Sequence, residues 1–261
     1  MRHPTFFIMI DGLRPDAIGP TNCPNLKALL ARSAHTLNAT SVMPSITLPC
    51  HTSIFHSVPP SRHGITQNVW QPMARPLPGL IDLAHQHGLK CAMIHNWEPL
   101  RDVNRPETLD FSFFANRSYE LDGDDLMAEE AARLIPKHQP DFAFVYLGTV
   151  DTSGHAYGWM SDGYLRQIER VDVALGGVLG ALPAQSNVVL QADHGGHERS
   201  HGTDMPEDLT IPWLAAGPAI KQGHAIQSPV SLLDTAPTLA KLMEIPAHAQ
   251  WEGRVVEEIF V

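Results

Sequence analysis

Apolar positions along the chain fall into two alternating kinds of segment. Short runs rich in β-branched and aromatic residues read as strands buried on both faces, and longer stretches with apolar residues three and four apart read as amphipathic helices. Thr5 to Ile10 is the first strand, followed by a helix over Asn25 to Ser33 with Leu26, Leu29 and Leu30 on one face. Leu77 to His87 reads as a helix stopped by Gly88, Lys90 to His95 as a strand, and Asp122 to His138 as a helix whose acidic start and basic end suit its macrodipole. Asp141 to Gly148 is the most apolar strand. A long helix over Asp162 to Leu182, strands over Asn187 to Ala192 and Ile211 to Ala216, and a late helix over Ser231 to Glu244 complete the pattern. Strand and helix alternate throughout, which predicts an α/β fold: a three-layer α/β/α sandwich with a mostly parallel central sheet. With no internal repeat or long linker, residues 1–261 are expected to form a single domain without a large insertion.

Composition narrows the function. The 261 residues are 43 % apolar, enough for a substantial core, and the net charge of −10 argues against binding a nucleic-acid polymer, whose phosphates demand clustered Lys and Arg. No apolar run reaches the roughly 18 residues of a membrane span, and the N-terminal run ends at Asp11 with no small-residue cleavage site. Three cysteines, Cys23, Cys50 and Cys91, show no paired spacing. Together these predict a cytoplasmic chain that neither binds a membrane nor carries a disulfide framework.

The candidate chemistry follows the strands. The first ends in Asp11-Gly12. The strand over 141–148 runs into Asp151-Thr152-Ser153-Gly154-His155, and the strand over 187–192 runs into Asp193-His194. Ligands of open α/β sheets bind beyond the carboxyl ends of the strands, and carboxylate with imidazole suits Zn²⁺ or a neighbouring first-row ion. Each piece alone reads as a turn or a helix cap; three such pieces behind three separate strands read as a metal site. One more imidazole completes it, and spacing alone leaves His197 and His201 both open. A nucleophile is expected where Ser45-Ile46-Thr47-Leu48 opens a helix, because a positive helix end favours an alkoxide and an anionic substrate; Ser45, Thr47 and Thr52 all qualify.

Taken in order, these motifs resemble a known family. Asp11-Gly12-Leu13-Arg14, Pro44 to His51, Pro60 to Asn68, Asp151-x-x-Gly-His155, Asp193-His194-Gly195 and Ser200-His201-Gly202 are similar to the type I phosphodiesterase/nucleotide pyrophosphatase branch of the alkaline phosphatase superfamily, over residues 5 to about 220. The resemblance implies two divalent ions, zinc with manganese as the alternative: one on Asp151, His155 and His201, the other on Asp11, Thr47, Asp193 and His194. It makes Thr47 the nucleophile and Asn68 a donor to a non-bridging phosphate oxygen. Three carboxylates and a threonine alkoxide would balance two divalent charges, and a phosphothreonine intermediate would give net retention at phosphorus. The implied activity is hydrolysis of small phosphate esters, phosphodiesters foremost, because Asn68 is neutral where a monoester dianion calls for Arg or Lys. The alternatives are a phosphomonoesterase, phosphonate hydrolase or phosphomutase of the same superfamily, or a non-catalytic metal-binding relative. Sulfatase chemistry is disfavoured, since Thr47-Leu48-Pro49-Cys50-His51 has neither a convertible Cys or Ser at its first position nor the following Arg. Leu48, where many nucleotide-cleaving relatives have Phe, and the short span from His194 to His201 set this chain apart within the resemblance. Trp70, Trp97 and Phe111 to Phe114 read mainly as core or pocket-wall residues.

Overall fold

The computed structural model describes residues 2–73 and 75–261. Its strands are β1 (Thr5–Ile10), β2 (Ala34–Thr40), β3 (Cys91–His95), β4 (Phe111–Phe114), β5 (Phe142–Leu147), β6 (Asn187–Gln191), β7 (Thr210–Ala216) and β8 (His224–Ala225). Its helices are α1 (Pro24–Ala31), α2 (Thr47–His56), α3 (Pro60–His63), α4 (Leu80–Gln86), α5 (Gly123–His138), α6 (Thr149–Tyr157), α7 (Asp162–Ala181), α8 (Pro206–Leu209) and α9 (Thr235–Leu242).

The strands form one sheet in the order β4-β3-β5-β1-β6-β7-β2-β8, and β7 alone among the described residues runs against its neighbours. Every residue of β1, β5 and β6 is buried, as strands covered by helices on both faces must be. Helices α1, α5 and α6 pack around α7, and α2, α4 and α9 pack with one another, giving the three-layer sandwich expected of the pattern. Most boundaries fall within two residues of expectation. The late helix differs: Leu232–Asp234 is a short 3₁₀ turn capped by Ser231, and α9 starts only at Thr235. β2 and β4 escape the periodicity because they lie near the sheet edges, where partial exposure breaks the apolar run. No described helix is long and apolar enough to cross a membrane.

Register decides what the fold presents. Ile10 pairs with Leu147 and Met9 with Gln191, so β5, β1 and β6 end level with one another. Because β7 is antiparallel to both β6 and β2, Thr40 at the end of β2 lies opposite Thr210 at the start of β7. The segments after β1, β2, β5 and β6, and the one leading into β7, therefore meet at one edge of the sheet.

Candidate metal centre

Each of those segments delivers polar side chains to that edge. Asp11 leaves β1 into a tight turn at Gly12, whose φ of +69° belongs to the left-handed region and whose added Cβ would sit 2.9 Å from Asp151 Cα. The Gly12 carbonyl accepts from Trp159 Nε1 and Tyr164 Oη, both at 2.9 Å, which pins the turn. Asp151 and His155 lie four residues apart on α6, hence on one helical face. Asp193 and His194 follow β6, and Asp193 Oδ1 accepts from the backbone N–H groups of Gly12 and His194 at 3.2 and 3.0 Å.

Two trios result. Donor atoms of Asp151, His155 and His201 lie within 4.8 Å of one another, and so do those of Asp11, Asp193 and His194. His194 Nε2 stands 3.3 Å from Asp11 Oδ1 and 3.4 Å from Asp193 Oδ2, while His155 Nε2 and His201 Nε2 stand 3.5 and 3.6 Å from Asp151 Oδ1. The rings of His194 and His201 stack at 3.8 Å, placing the trios side by side.

The hydrogen bonds of the three imidazoles share one pattern. Nδ1 of His155 meets the Arg199 carbonyl at 2.9 Å, that of His194 the Gly195 carbonyl at 2.8 Å, and that of His201 the Ser45 carbonyl at 2.8 Å. A carbonyl only accepts, so each Nδ1 carries the proton and each Nε2 presents a lone pair. Those lone pairs face Asp11 Oδ1, Asp151 Oδ1 and Asp193 Oδ2, buried oxygens that accept no hydrogen bond from the described residues. Lone pair against carboxylate is repulsive by itself, and it is the arrangement a divalent cation resolves. Burial, then the charges of Asp193 and Asp151, push the Asp11 carboxyl well above its ordinary range. Burial also raises Asp151, although the nearby His201 and His155 oppose it. Burial pushes His194 and His201 down to about 4, keeping both neutral and able to ligate. Donor set, tautomers and unpartnered oxygens all fit two divalent ions.

The three candidate hydroxyls separate cleanly. Ser45 Oγ donates to the Thr203 carbonyl at 2.9 Å and Thr52 Oγ1 to the Leu48 carbonyl at 2.8 Å. Thr47, the first residue of α2, has its Oγ1 3.2 Å from His194 Nε2 and lines a cavity of about 120 Å³ together with Asp11, Asn68, Asp151, His155 and His201. Asn68 Oδ1 accepts from the Leu48 N–H at 2.9 Å, which ties this loop amide to the start of α2. His201 joins Asp151, whereas His197 Nδ1 bonds Asp208 at 2.7 Å and belongs to neither trio.

Sequence reasoning missed two contributors. Tyr146, the one hydroxyl in the apolar β5 run, donates a short hydrogen bond to Asp11 Oδ2, and burial holds its phenol well above the ordinary range. His51, one helical turn after Thr47, bonds the Thr47 carbonyl at 2.8 Å and stands 3.6 Å from Asp193 Oδ2. Their signals were a polar tip inside a buried strand and an i, i+4 spacing. Trp97 is buried against the cavity, Trp70 is exposed, and Phe111 and Phe113 pack on the core from β4.

Comparison with known proteins identifies the chain's relatives. Over 223 residues the chain is 26 % identical to an uncharacterized pyrophosphatase/phosphodiesterase of Schizosaccharomyces pombe, covering 72 % of this chain and 44 % of that protein. It is 26 % identical over 217 residues to human ectonucleotide pyrophosphatase/phosphodiesterase family member 1, covering 74 % of this chain and 23 % of that one. The chain thus spans less than half the length of these relatives. The structure of murine ectonucleotide pyrophosphatase/phosphodiesterase 5, in an inactive form in complex with AMP, superposes with a TM-score of 0.82 at 14 % identity and full coverage of both chains, so the two share a fold. The family model for type I phosphodiesterase / nucleotide pyrophosphatase matches residues 5–209, and the chain belongs to that family.

Proposed function

We propose that the chain is a single catalytic domain that hydrolyses small phosphodiesters at a pair of divalent metal ions, with Thr47 as nucleophile. The observation that carries this reading is the set of three imidazole lone pairs aimed at three unpartnered carboxylate oxygens beside the Thr47 hydroxyl. Asp151, His155 and His201 would hold one ion, and Asp11, Asp193 and His194, with Thr47, the other. When bound, such ions acidify a hydroxyl and stabilise charge on phosphoryl oxygens, and N/O donors of this kind accept zinc or manganese.

The chain's own groups account for the rest. Thr47 Oγ1 gives its proton to solvent and attacks phosphorus as one ester oxygen departs and takes up a proton to leave as an alcohol. The phosphoryl group, still esterified on its other oxygen, then sits on Thr47. Water gives up a proton and attacks the same phosphorus opposite Oγ1, and Thr47 departs and regains its proton. Two inversions give net retention. The α2 N-terminus at Thr47 contributes a positive potential where negative charge grows. Asn68, anchored through its oxygen, offers its amide N–H to a non-bridging oxygen.

A diester is favoured over a monoester because none of the described residues lining the cavity is Lys or Arg. Four arginines elsewhere pair with carboxylates: Arg14 with Asp16 at 2.6 Å, Arg101 with Glu98 at 2.6 Å, Arg105 with Asp82 at 3.6 Å, and Arg117 with Glu120 at 2.6 Å. A monoester dianion would meet no fixed cationic side chain there. The test is a panel of aryl phosphodiester, phosphomonoester, phosphonate and sulfate ester on the zinc-reconstituted chain. The diester should show the highest kcat/KM. A higher value on monoester or phosphonate refutes the diester assignment, and inertness toward the whole panel refutes catalysis.

A further inference from the structure

His194 and His201 serve different trios, yet only residues 195–200 separate them. The spacing of the trios therefore rests on how that short segment is held. Gly195 N–H and Gly196 N–H donate to the carbonyls of Asp208 and Glu207, each at 2.8 Å, and a Cβ on Gly195 would lie 2.1 Å from the Glu207 oxygen. His197 and Ser200 exchange backbone hydrogen bonds of 2.9 Å, closing the turn, and the Glu198 carbonyl accepts from the Trp159 N–H at 2.7 Å. The side chain of Asp208 completes the support and is fully buried. Its Oδ1 accepts from His197 Nδ1 at 2.7 Å, and its Oδ2 accepts from the Thr203 N–H and hydroxyl at 2.9 and 2.8 Å. One carboxylate thus grips the chain three residues after His194 and two residues after His201, and α8 ties it to the start of β7.

We propose that Asp208 and His197 form a clasp that sets the spacing of the two metal trios, as positioning residues that touch neither ion. The inference rests on the metal reading above and adds a device within it. Both oxygens of Asp208 accept hydrogen bonds, so an amide at this position would turn its NH₂ against either the His197 or the Thr203 donors. Groups that fix the orientation of metal-ligating side chains without touching the ion govern metal affinity in the same way.

The test is a titration of chelator-treated wild type, Asp208→Asn, His197→Ala and His197→Asn with Mn²⁺. Calorimetry gives ions per chain and their dissociation constants, electron paramagnetic resonance gives the coupling between the two ions, and circular dichroism checks folding. Wild type should take up two coupled ions. Asp208→Asn and His197→Ala should weaken the second ion about 10- to 100-fold and alter the coupling, while His197→Asn, whose amide N–H can replace Nδ1–H, should stay within about threefold of wild type. Should Asp208→Asn fail to fold, the partly exposed His197 carries the comparison. A folded Asp208→Asn or His197→Ala variant with wild-type affinities and coupling overturns the clasp. A wild-type chain that takes up no second ion instead overturns the metal reading itself.

Discussion

Replacing Asp11 by Asn should change stability in opposite directions with and without metal. Without cations, an oxygen of Asp11 and one of Asp193 lie within 4.8 Å inside the protein. Two negative charges at that distance repel by about 3.5 kcal/mol at an effective dielectric constant of ~20. Burial is the first cause that pushes the Asp11 carboxyl upward, with Asp193 and Asp151 following. A folded-state pKa above the unfolded one means that stability is lost as pH rises above about 4, and by pH 7 the loss is capped near 4 kcal/mol. Asn retains the acceptor for Tyr146 and removes the charge. In a chelator at pH 7, Asp11→Asn should therefore be more stable than wild type by about 3 kcal/mol, a rise in melting temperature of about 6–12 °C for a chain of this size. In saturating zinc the order should reverse, because the variant loses a ligand and a roughly 1,000-fold weaker ion forfeits about 4.1 kcal/mol of linked stability, more than the charge removal gains. Differential scanning calorimetry in chelator and in zinc, at pH 7 and pH 4, measures both signs. A chelated variant that melts below chelated wild type at pH 7, or an advantage that persists undiminished at pH 4, refutes the electrostatic reasoning.

Other outcomes follow from the same geometry. Thr47→Ala should lower kcat on an aryl phosphodiester by at least about 10³-fold with both ions still bound; wild-type turnover at full metal content refutes its role as nucleophile. His201→Ala should reduce zinc from two ions per chain to one, read by elemental analysis after dialysis, since its Nε2 faces Asp151. Burial pushes His63 and His95 down to about 4, so their stabilisation is complete above about pH 6.5 and is lost as pH falls through 4; between pH 7 and 5 each should cost about 2 kcal/mol in urea unfolding, a loss that His63→Asn should lessen. Gly12→Ala should cost about 1–3 kcal/mol and displace Asp151, seen as weaker metal binding, because the site combines positive φ with a backbone atom 2.9 Å from the added methyl.

Much of this was legible along the chain. Near-continuous apolar runs marked β1, β5 and β6, because a strand covered on both faces has few places for a polar residue, and the acidic residues just beyond them marked the edge where the candidate site lies. Local periodicity likewise announced α5 and α7 within a residue of their ends. Spacing could not choose among Ser45, Thr47 and Thr52 or between His197 and His201. These alternatives differ in which groups find backbone carbonyls and which face the cavity, and much of that difference comes from contacts between residues more than 100 positions apart, such as Thr47 with His194 and His201 with Ser45. The partners of Tyr146 and Asp208 were hidden for the same reason: each is an ordinary buried side chain until the level ends of β5, β1 and β6, and the antiparallel return of β7, bring it against its partner. Composition and period specify which residues leave water and in what local shape; the pairing of distant strands decides which of their polar tips meet.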